Sequence, residues 1–149
     1  MTSIFYNTVA IILSLLMYTV AVPVEAQMTG SAVLISNNII HDDVNSPASG
    51  YFDVYVDGDT LSVKGSFKNL SGTYRTAGIY YGENDENGNL LFRLSPKFKG
   101  SKSRAEFVRI ENSFRISEPL INALRNGNLY IAIGSSEFPR GEIRGQIEM

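Results

Sequence analysis

At 149 residues the chain has room for one domain with a real core, and it contains no cysteine at all. Disulfides, thiolate catalysis, thiol-ligated zinc, iron–sulfur clusters and a lipid-modified N-terminal cysteine are therefore excluded. The formal charge of −2 leaves no field to concentrate nucleic acid or anionic lipid.

The chain opens with an apolar run, Val9 to Val22, of signal-peptide length and shorter than the roughly 20 residues that cross a bilayer. Pro23 ends the run. Val24-Glu-Ala26 offers a small residue at a cleavage position, so residues 1–26 are expected to be a signal peptide and 27–149 the mature domain. No Lys or Arg precedes the run, so its only positive charge there is the α-amino group. Cleavage removes Glu25 and leaves 13 basic against 14 acidic residues. A secreted or periplasmic protein is expected, with no membrane insertion after cleavage. The lack of cysteine points towards a bacterial origin.

Ser31 to Ser36 reads as a first strand, and Asn37 to Gly50, rich in Asn, Asp, Ser and Pro, as a connection. Gly50–Val56 and Leu61–Lys68 alternate strictly about the turn Asp57-Gly-Asp-Thr60, which predicts a hairpin packed on one side. Tyr74 to Tyr81 is a strand with Ala77, Ile79 and Tyr81 on its core face. Glu83 to Asn89 is a polar tip, Leu90–Leu94 a strand, and Lys97 to Lys102 a basic loop. Arg104–Ile110 is a further strand, which Asn112–Ile116 continues after a kink. Glu118 to Asn126 is the one helix, with Ser117 as N-cap, Pro119 in the first turn and Gly127 at the left-handed stop. The last hairpin pairs Asn128–Gly134 with Gly141–Ile147, each arm having one apolar face, and the loop between them carries Pro139. About eight strands predict a single all-β, immunoglobulin-like antiparallel β-sandwich with one short helix before the last hairpin.

The ending, Asn128-Leu-Tyr followed by Pro139-x-Gly-Glu-Ile-Arg-Gly-Gln146, resembles the C-terminal signature of the CHRD domain, the module named after chordin. Thr76-Ala-Gly-Ile-Tyr-Tyr-Gly82 and the later Asn87-Gly88 match that family's middle. Residues 31–70 match its opening more loosely. The family's middle and end carry three histidines, and the positions that correspond here are Gly78, Tyr80 and Gly134. A His-x-His pair with a third histidine across the sheet would suit a metal. This chain lacks that set, so a metal-binding or redox domain of the superoxide-dismutase type is the alternative and not the leading expectation.

His41 stands beside Asp42 and Asp43 in a polar link, too few ligands for a transition metal, and reads as solvated loop. Glu83, Asp85, Asn87 and Gly88 fall in a calcium-loop register, but Leu94 occupies the position of the required glutamate, so a hairpin tip is expected. No nucleophile, base or paired carboxylates emerge, and no enzyme, metal or cofactor is expected. Asn69-Leu-Ser71 would accept a glycan only in a eukaryotic secretory pathway. Glu142 and Arg144 share a face between Gly141 and Gly145, which reads as a structural motif in which the glycines admit a neighbouring strand. Tyr80, Glu83, Asp85, Phe138 and Arg140 are the expected binding surface, in a non-catalytic module that recognises a protein or glycan through its loops.

Overall fold

The computed structural model describes residues 27–40 and 42–149. The expected signal peptide and His41 lie outside the described residues. Ten strands and one helix follow in order: β1 (Met28–Ile35), β2 (Ser49–Asp57), β3 (Thr60–Lys68), β4 (Tyr74–Tyr81), β5 (Leu90–Arg93), β6 (Lys97–Phe98), β7 (Ala105–Phe107), β8 (Ser113–Arg115), α1 (Glu118–Arg125), β9 (Leu129–Ser135) and β10 (Ile143–Gln146). All pairings are antiparallel, and the spatial order is β5-β4-β9-β10-β1-β2-β3-β7-β6, with β8 also on β3.

The all-β, sandwich-like class is as the alternation predicts, but the two layers are one continuous sheet curled on itself. β1 carries the ladder from one layer to the other, pairing β10 at Ile35–Arg144 and β2 along its whole length. Alternation makes this possible, because every second residue points inward. Phe52, Val54, Leu61, Val63, Ile79, Leu129, Ile131, Ile133 and Ile143 are fully enclosed in a single core. Each such side chain contributes about 1.5–3 kcal/mol. Aromatic contacts join the layers: Phe67 of β3 stacks on Tyr74 of β4 at 5.9 Å, and Phe92 of β5 on Phe114 of β8 at 4.7 Å.

Local chemistry sets the turns. Gly58, with φ 55°, takes the first central position of the β2–β3 hairpin, where only glycine is comfortable. Gly127, with φ 72°, ends α1, and the Asn128 N–H to Ala123 and Gly127 N–H to Leu124 bonds complete a Schellman motif. Ser117 has the extended backbone of an N-cap, but its side chain makes no capping bond.

Several expectations change. Lys97–Phe98 is a short edge strand, because β7 offers it a ladder. The strand expected over Arg104–Ile110 stops at Phe107, and a 3-10 turn at Arg109–Glu111 follows. Tyr81 is 48% exposed, since β4 ends there and the core beneath it has run out. The arms of the last hairpin are enclosed on both faces: Tyr130, Glu142 and Arg144 are buried as well as the isoleucines. β9 and β10 sit centrally, and loops cover their outer side.

Gly145 marks the tightest approach of the curl. A Cβ there would stand 2.3 Å from Val33 O and 2.7 Å from its carbonyl carbon, both rigid backbone. Gly145→Ala is expected to destabilise the fold by about 1–3 kcal/mol, the usual penalty of overpacking. A urea midpoint unchanged from wild type would show that β1 yields at this point.

Candidate functional site

Three strands present the positions of interest on the outward side. Register places Gly78 of β4 opposite Ala132 of β9, Tyr80 opposite Tyr130, and Thr76 opposite Gly134. Arg144 of β10 lies opposite Ala132 on the other flank. The positions that correspond to the three histidines therefore do converge on one patch. That patch is filled. A Cβ on Gly78 would meet Leu90 Cδ1 at 2.4 Å, and one on Gly134 would meet Pro139 O at 3.0 Å and Phe138 O at 3.2 Å. Among the described residues no three His, Cys, Asp or Glu side chains gather to hold a metal. The histidine-type metal site does not fit this chain.

A stack occupies its place. The Tyr80 and Tyr130 rings lie 5.2 Å apart and 9° from parallel, and Arg144 Cζ sits 3.6 Å from the Tyr130 ring centre on β10's side. Burial pushes the Tyr80 phenol upward and the Arg144 guanidinium downward in pKa. The guanidinium donates from Nη2 to the Glu83 carbonyl at 2.6 Å and from Nη1 to Asn87 Oδ1 at 3.1 Å. Gln146 Nε2 donates to the Gly82 carbonyl at 2.8 Å and the Gly127 carbonyl at 2.6 Å. The Gly88 N–H donates to the Tyr130 hydroxyl at 3.1 Å. The polar tip between β4 and β5 is thus tied down over the sheet.

Glu142, also buried, works on the opposite loops. Its Oε1 accepts from the Ser46 hydroxyl at 2.5 Å and the Ser71 N–H at 2.6 Å. Its Oε2 is buried without a hydrogen-bond partner. Burial raises the carboxyl's pKa, but the neighbouring Ser135, Ser46 and Ser71 outweigh it and hold the group below its usual value. Glu142 and Arg144 share a face, as their spacing requires, yet no ion pair joins them among the described residues. Each anchors a different loop. Gly141, with φ 151°, turns the chain into β10 against Ile39.

The surface residues divide. Tyr80 is half-buried in the stack, and Glu83 contributes its carbonyl inward while its carboxylate stays exposed. Asp85 is exposed and lends Arg144 a favourable charge. Phe138 is half-buried, and exposed Arg140 pairs with Asp42 across 2.5 Å. Tyr80, Asn87, Arg140, Arg144 and Ile39 border a cleft of ≈ 80 Å³. Phe138 lies instead on a shallower groove with Glu137 and Asp43. Ser46, Ser71, Asn87 and Tyr130 were not legible as partners, since nothing distinguishes two loop serines from others. The Asn87-Gly88 pair was visible only as a turn.

Two outcomes follow. Arg144→Leu keeps bulk but abandons the Glu83 carbonyl and Asn87, and is expected to lower stability by about 1–3 kcal/mol in urea titration; an unaltered midpoint would mean the tip is held without it. Glu142 has a folded pKa below the unfolded value of about 4.3, so its contribution is present above that value and is lost as pH falls through the folded one. Glu142→Gln should flatten the fall of stability as pH drops below about 4.3. Wild-type steepness retained in the variant would assign that fall to other carboxylates.

No curated protein and no solved structure matches the sequence. The family model described as the CHRD domain matches residues 20–147. That span holds every described strand, the tyrosine–arginine stack and the Gly-Glu-Ile-Arg-Gly run at its end, and the chain belongs to the CHRD domain family.

Proposed function

We propose that this chain is a non-catalytic, exported CHRD module that recognises a protein or glycan through its surface loops. The observation that carries the reading is how the buried polar groups of the outer face are used. Arg144, Gln146, Tyr130 and Glu142 each hold a loop in place, and Gly78 and Gly134 are covered by neighbours. These bonds commit most of their polar atoms to holding structure, and only Glu142 Oε2 and Arg144 Nε stay buried without a partner among the described residues. What they produce is a set of fixed loops, with the Glu83 and Asp85 carboxylates, Phe138 and Arg140 at the surface. Pre-set loops bind with less ordering loss than mobile ones. The N-terminal apolar run supports export, and no described helix is long and apolar enough to cross a membrane.

The first experiment is metal analysis of protein purified after expression of the full chain, with copper, zinc and calcium titrations read by thermal melts. A ligand that binds only the native state raises the midpoint. No bound metal and no shift is the expected result. Stoichiometric metal with clear stabilisation would overturn the reading in favour of a metal-binding domain that uses oxygen ligands. A panel of immobilised glycans and peptides then tests the loops: binding should fall in Phe138→Ala/Arg140→Ala at an unchanged melting midpoint. Equal binding by that variant and wild type would remove these loops from recognition.

A further inference from the structure

The outer face of the other layer carries a different surface. Direct cross-strand partners there run Val33, Tyr51, Ser66, Glu106 and Lys97 across β1, β2, β3, β7 and β6. Val33 is 59% and Tyr51 49% exposed. The next row contains Lys68, Arg104 and Lys99, one step beyond the Phe67–Ala105 and Phe98–Ala105 pairs. Lys68 ends β3, and Arg104 and Lys99 stand just outside β7 and β6, so three cations gather at this end of the sheet. They border a hollow of ≈ 140 Å³ with Ser66 and Glu106.

Like charges opposite one another weaken a sheet, so this row works against folding. Lys99 is relieved by Glu106 at 2.8 Å and Lys97 by Glu111 at 2.6 Å. Lys68 and Arg104 have no carboxylate within 4 Å among the described residues. Lysines on an edge strand block edge-to-edge pairing, which accounts for Lys97 and Lys99 on and beside β6. It does not account for Lys68, which lies on β3 inside the sheet.

We propose that this face binds an acidic polysaccharide, a chain of uronic acid residues, with carboxylates on Lys68 and Arg104 and a sugar ring on Tyr51. A tyrosine ring gives a flat apolar platform with few torsions to freeze. Magnitude selects this partner over other polyanions. Duplex nucleic acid engages on the order of 6–10 phosphates, and anionic membranes are held by clusters of about 4–8 cations. Two uncompensated cations beside an aromatic suit a chain with one charge per sugar. The face is separate from the loops proposed above, and neither depends on the other.

The test is affinity electrophoresis of the protein purified from full-chain expression, through gels containing polygalacturonate or neutral dextran. Polygalacturonate should retard it, dextran should not, and added salt should weaken the retardation. Lys68→Glu/Arg104→Glu should lose affinity by more than about tenfold, as like-charge juxtaposition demands, and Lys68→Gln/Arg104→Gln by less. Tyr51→Ala should weaken binding without altering its salt dependence. Phe138→Ala/Arg140→Ala should bind as wild type does. Melting midpoints near wild type show that the variants are folded. No retardation of wild type, equal retardation by dextran, or unchanged affinity in both charge variants would overturn the proposal, as would tighter binding to anionic vesicles or RNA than to polygalacturonate.

Discussion

A guanidinium enclosed in protein without a carboxylate partner is the constraint on which this structure turns. Arg144 is 2% exposed, and taking a charge out of water is costly unless other groups replace the solvent. Here a ring face, two carbonyl-type oxygens and a distant Asp85 do so. A desolvated cation–π contact supplies about 2 kcal/mol and each charged hydrogen bond about 1.5–3. The position of Tyr130 and the conformation of residues 83–87 are then no longer free. The Tyr80 ring aligns with Tyr130, and the β4–β5 connection closes over the sheet.

The same requirement gives the glycines their meaning. Arg144 stands on the outward side of a strand paired with β9, and β1 can reach that strand only because Gly145 has no side chain. The Gly-Glu-Ile-Arg-Gly run is therefore a unit: two side chains fasten loops on one face, an isoleucine fills the core on the other, and the glycines fix the turn and the close approach.

Legibility in the sequence followed the period of the pattern. Strict alternation in Gly50–Val56 and Leu61–Lys68 is a local signal, and both strands lie where it places them. Gly58 and Gly127 mark their turns for a similar reason. The curl was hidden, because nothing local tells a ladder that it continues from β10 through β1 to β2. The enclosure of the second face of β9 and β10 was hidden too. Polar residues at alternate positions signal solvent unless distant loops supply partners, and those partners are Ser46, Ser71, Glu83 and Asn87. The converging patch could be inferred from Gly78, Tyr80 and Gly134, but its filling by Leu90 and the Phe138–Pro139 backbone could not.

Asn38 and Arg144 share a hydrogen bond across 106 residues of sequence, and β1, the first strand described, borders β10, the last. The sheet itself stays open, with β5 and β6 at its edges, and β10 is the strand that makes it continuous. Without β10, β1 and β9 each keep one partner, β2 and β4, but nothing joins the two halves of the sheet. Joining them depends on pairing between segments distant in sequence, with the slow search that such contacts entail. In a domain without cysteine, that one strand does the joining that a cross-link between distant segments does elsewhere.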